Sequence, residues 1–223
     1  MTGARSSRFL ALAVCAIAAC TSSTVHLYTL VPYTPGGSSD AMENQPHQRI
    51  VFESISIPSD LDRKELVMRK SPHELVLLES ANWASPLREE VRRGLMANLH
   101  RALRDHAADV PAAAASPTLI RVDVREWEAT ANLVHLNAEW RIHRADSLNP
   151  IEVRCESELV ERTSGSADDL VRADQALLES MAKSIARALQ GERCDEAADH
   201  PSKGAWSMGR PDAHTCCRAP SGP

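Results

Sequence analysis

Apolar and polar positions alternate with period two over three stretches in the middle of the chain. Over 119–129, Ile120, Val122 and Val124 share one face, and Arg121, Asp123 and Arg125 share the other. Over 133–143, Val134, Leu136, Ala138, Trp140 and Ile142 alternate with His135, Asn137, Glu139, Arg141 and His143. Over 151–161, Ile151, Val153, Cys155 and Leu159 alternate with Glu152, Arg154, Glu156 and Glu158. This period marks strands with one covered face and one wet face. Thr130-Ala131-Asn132 and residues 144–150 are short enough for hairpins, so the three strands should form an antiparallel meander.

Two stretches carry the helical period instead. Leu87, Val91, Leu95, Leu99 and Leu103 form one apolar stripe, with Met96 beside it. Ser85 can cap this helix and Pro86 fits its first position. Glu89 and Glu90 lie near its positive end, Arg101 and Arg104 near the other. Gly94 interrupts the stripe at a cost of up to about 1 kcal/mol relative to Ala, which predicts a close approach to the sheet. The second helix opens on Ser166-Ala167-Asp168-Asp169, a capping box with Asp169 as its acid. Leu170, Leu177, Leu178, Met181, Ile185, Ala188 and Leu189 make its apolar face, and Gly191 stops it. Weaker strand signals lie at 25–31, 50–57, Leu66–Arg69 and Glu74–Leu78, with a Pro- and Gly-rich loop over 32–48. The predicted fold is α+β: an antiparallel or mixed sheet of about four to six strands with two helices packed on one face.

The first twenty residues follow other rules. Arg5 and Arg8 precede an uncharged apolar run, Phe9–Ala19, which is too short to span a bilayer. The run ends in Ile17-Ala18-Ala19-Cys20, which resembles the bacterial lipobox. Such a signal implies cleavage after Ala19 and transfer of diacylglycerol to the Cys20 thiol; the alternative is ordinary cleavage with an unmodified Cys20. The chain thus divides into a lipoprotein signal peptide (1–19), one domain (20–192) and a disordered tail without periodicity (193–223). Each buried CH₂ of an acyl chain contributes roughly 0.8 kcal/mol, so several chains on one Cys make a lasting anchor. Thr21 stands where an Asp would signal retention at the inner membrane, so the expected location is the periplasmic face of the outer membrane. Loss of Arg5 and Arg8 takes the net charge from −5 to −7, so lipid rather than a basic patch does the tethering.

Charge and composition exclude several functions. The acidic balance argues against a phosphate-backbone binder, and aromatic residues, at 4%, are too few for a base-stacking surface; no nucleic-acid partner is expected. Six Cys and nine His hold no CxxC pair and no HExxH element, so no metal is expected. Cys155 reads as a small buried hydrophobe, with pairing to Cys194 left open. His135 and His143 read as solvated strand residues. There is no G-x-S-x-G turn for a Ser nucleophile and no Gly-rich phosphate cradle, so neither catalytic residues nor a cofactor are expected.

Four segments together resemble one family. Leu27-Tyr28-Thr29-Leu30 follows the lipobox Cys. Ile57-Pro58-Ser59-Asp60-Leu61-Asp62-Arg63 leads into Leu66-Val67-Met68-Arg69. Asn82-Trp83-Ala84-Ser85-Pro86-Leu87 opens the first helix. Their order is similar to that of the PqiC-like, ABC-type transport auxiliary lipoproteins, over roughly Cys20 to Gln190. The resemblance implies a non-enzymatic accessory of an intermembrane lipid transport system that works with an MCE-domain protein. Strand addition at an unpaired edge would be one docking route, and self-association into a ring another possibility. A pilotin-like assembly lipoprotein for another outer-membrane machine is the alternative. Within the motifs, Trp83 is expected to bury at the helix start, and Arg63 and Arg69 to pair or face solvent.

Overall fold

The computed structural model describes residues 24–33, 50–105, 117–144, 151–191 and, for the backbone, 214–218. Its elements are β1 (His26–Tyr28), β2 (Ile50–Ser56), β3 (Glu65–Ser71), β4 (Glu74–Trp83), α1 (Leu87–Asp105), β5 (Thr118–Ala129), β6 (Leu133–Arg144), β7 (Ile151–Arg162), α2 (Ala167–Leu189) and β8 (His214–Arg218). The α+β class and the meander are as expected: β5, β6 and β7 pair antiparallel along nearly their whole length. The strands do not share one sheet. A three-stranded sheet has the order β1-β4-β3, and a five-stranded sheet the order β2-β5-β6-β7-β8. Period two fixes which face of a strand is covered but not which strand it pairs with. Both parallel pairings, β1 with β4 and β2 with β5, join segments far apart in sequence.

Both helices cover one face of the larger sheet. Leu95, Leu99, Leu177, Leu178, Met181 and Ile185 meet Ile120, Val122, Leu136, Trp140 and Leu159 in a continuous apolar core. A bulge between Val124 and Glu126 shifts the phase of β5. Ile120, Val122 and Val124 face inward before it and Trp127 faces inward after it, although their spacing breaks strict alternation.

The helix starts show how local chemistry was used. Ser166 caps α2 as expected, accepting the Asp169 N–H at 3.2 Å. Gly165 precedes it at φ +80°, where a Cβ would also lie 3.0 Å from the Ala131 carbonyl oxygen. Ser85 is not used as a cap: its hydroxyl donates to Glu90 Oε1 at 2.6 Å. Gly94 does mark a close approach, but to the chain after β1 and to α2 rather than to the sheet. A Cβ there would sit 2.9 Å from the Leu30 carbonyl oxygen and 3.1 Å from Leu178 Cδ1.

Cys155 is buried as expected, and it is disulfide-bonded. Strand β8 pairs antiparallel with β7, with Cys217 opposite Cys155 in register. It lies in the segment expected to form a tail without structure; the remainder of that segment, Cys194 included, is outside the described residues. No helix among the described residues is long and apolar enough to cross a membrane.

Candidate functional site

Segments separated in sequence meet at the start of α1. Tyr28 lies beside Trp83 in the parallel register, and the Ala84 N–H donates to the Tyr28 carbonyl at 2.7 Å. The Trp83 N–H donates to the Lys64 carbonyl at 2.6 Å, and the Leu87 N–H to the Arg63 carbonyl at 3.3 Å. Asp62 accepts the Arg88 N–H at 3.1 Å and pairs with its guanidinium at 2.7 Å, as an acid placed at a helix N-terminus should. Trp83 is buried. Arg63 pairs with Glu65 at 3.2 Å and Arg69 with Glu128 at 2.6 Å. Burial and the carboxylate of Asp168, to which it hydrogen-bonds, raise the pKa of the Tyr28 hydroxyl.

Glu90 ties this junction to β1. It is fully buried, and Oε2 accepts from Thr29 Oγ1 at 2.7 Å and from the Leu30 N–H at 3.0 Å. Oε1 accepts from Ser85 and from Arg93. Burial alone would push this carboxyl upward. Hydrogen bonds from Ser85, Thr29 and Leu30, with the charge of Arg93, outweigh it and hold the pKa below the usual range.

A groove of about 180 Å³ opens beside the junction, between the β3–β4 hairpin and the end of β5. Leu61, Val67, Leu75 and Trp127 line it, with Arg69, Arg125, Glu126 and Glu128 among its polar groups. A smaller cavity behind it reaches Asp174 of α2. Trp127 Nε1 donates to Asp174 Oδ1 at 2.7 Å. Burial pushes this carboxyl up to about 7 against the opposing effect of that hydrogen bond.

The open face of the larger sheet is polar and internally paired. Glu139 sits at its centre, buried under Arg125, Arg141 and Arg154. The hydrogen bond from Arg154 comes first among the causes that lower its pKa; Arg141 adds to it and burial opposes it. His135 lies between Glu126 and Glu158, 3.9 and 3.5 Å away. His143 lies on the same face eight residues further along β6, about 26 Å at strand rise. The two histidines are not brought together. Among the described residues no group of three His, Cys, Asp or Glu side chains could hold a metal ion. The expected acylation and cleavage positions, Cys20 and Ala19, lie outside the described residues.

Residues 28–186 match the family of ABC-type transport auxiliary lipoprotein components. The chain belongs to this family. It is similar to the intermembrane transport lipoprotein PqiC of Escherichia coli (strain K12): 25% identical over 177 residues, covering 78% of this chain and 92% of that protein. The same values hold for PqiC of Shigella flexneri. A crystal structure of an uncharacterised protein shares the fold, with a TM-score of 0.54 at 20% identity, over 74% of this chain and 99% of that one.

In this auxiliary lipoprotein, the segments that carried the resemblance build a joint between β1, β3, β4 and α1. Two buried acids were not read from the sequence. Glu90 has the position of a complement to the helix dipole, yet it falls beside Leu87, Val91 and Gly94 on the buried face. Asp174 stands within the apolar stripe of Leu170, Leu177, Leu178 and Met181. A charge inside such a stripe is the available signal in both cases, since a buried acid needs partners.

Proposed function

We propose that the chain is acylated at Cys20 after cleavage behind Ala19, and hangs from the periplasmic face of the outer membrane. There it acts as a non-catalytic accessory of an intermembrane lipid transport system, docking an MCE-domain protein by position rather than by turnover. The observation that carries this reading is the family match over 28–186, with the segments that carry the resemblance spent on joining elements rather than on converging reactive groups. The match to the relative named as an intermembrane transport lipoprotein spans 92% of that protein. Tethering raises the local concentration of the docking surface, so modest contacts suffice.

The open face of the five-stranded sheet is the docking surface we assign, because both helices occupy the opposite face. A homo-oligomer would multiply that surface. Cross-linking in intact cells followed by pull-down of the acylated chain tests the partnership. Recovery of an MCE-domain protein supports it. Recovery of a secretin or of a polysaccharide-assembly subunit instead supports a pilotin-like role and overturns it.

A further inference from the structure

We propose that the β3–β4 hairpin is the end of the domain that meets the lipid surface, with Leu75 and Leu77 in contact with the bilayer. The inference rests on the proposed acylation of Cys20 and adds an orientation to it. Strand β1 runs parallel to β4, with His26 beside Ala81 and Tyr28 beside Trp83. Followed back from His26, the chain therefore leaves in the direction of the hairpin turn at Pro72-His73.

Lengths then constrain the arrangement. Six residues separate Cys20 from His26, so the tether reaches at most about 20 Å. Because β4 is bulged, β3 sets the length of the hairpin: six residues from Ser71 to Glu65 lie opposite Glu74 to Asn82, about 20 Å at strand rise. The tether is about as long as the hairpin beside it, so an anchor in the membrane brings the hairpin tip to the same surface.

The surface chemistry of the hairpin fits this contact. Leu75 and Leu77 alternate onto one face of β4 and are 46% and 43% exposed. At the base, Val25 just before the edge strand and Leu27 within it are 48% and 68% exposed. Near the tip, Lys70 pairs with Glu74 at 3.2 Å and Arg69 with Glu128 at 2.6 Å, which lowers the cost of approaching lipid.

The test uses the full acylated chain, reconstituted into phosphatidylethanolamine–phosphatidylglycerol vesicles with bromines near the top of the acyl chains. Leu77→Trp places an indole on the hairpin. His143→Trp places one at the opposite end of the β5–β6 pair. After subtraction of the unsubstituted protein, the indole at position 77 is expected to lose emission in brominated vesicles, and that at 143 to keep it. Flotation with the vesicles but no quenching at 77 would overturn this orientation while leaving the anchor intact. Failure to float would overturn both.

Discussion

At the scale of single residues, the two buried acids behave in opposite ways because their partners differ. Glu90 has four donors and stays ionised; Asp174 has one neutral donor and resists ionisation. Glu90→Ala would strand the Leu30 N–H and the Thr29 hydroxyl, so a loss of about 3 kcal/mol in urea unfolding is expected. For Asp174 the folded value, about 7, lies above the unfolded one. Between those two values the folded state holds the extra proton, so stability falls as pH rises through that window. It is full below the unfolded pKa, and the penalty is constant above about 7. Unfolding of the Asp174→Asn variant between pH 4 and 8 should show that slope flattened, with a gain of a few kcal/mol at the upper end. An unchanged slope would mean that the Trp127–Asp174 contact is wetter than its burial implies.

At the scale of elements, the joint between α1, α2 and the chain after β1 depends on Gly94. Alanine there would gain up to about 1 kcal/mol of helix propensity. Its Cβ would nevertheless meet backbone oxygen at 2.9 Å, which cannot swing aside like a side chain tip. Gly94→Ala should therefore lower the melting temperature, where propensity alone would raise it. The same comparison shows what was legible in the sequence. The strands of the meander were plain because each alternates cleanly and its neighbours follow in the chain. The β3–β4 hairpin was faint because Val76 and Leu78 on one face of β4 are only half-buried while Leu75 and Leu77 on the other are apolar yet exposed, so apolar and polar residues do not alternate. The parallel pairings could not be read, since no local period records a partner some 55 or 68 residues away. The bulge at Arg125 hid Trp127, and with it the cavity and the partner of Asp174. The family segments were visible as residues, but their meeting at one joint is a property of the folded chain.

At the scale of the whole molecule, the account places an acidic domain on a short lipid tether. The net charge of −7 after removal of residues 1–19 gives no electrostatic attraction to anionic lipid, so location must come from the acyl chains. Docking of a partner and orientation at the membrane both follow from where that tether begins. Mass spectrometry of the protein isolated from the outer-membrane fraction tests this most directly. The account predicts that the first peptide starts at Cys20, carries diacylglycerol on its sulfur and is acylated at its amino group. A bare Cys20, or peptides extending upstream of it, would contradict the account.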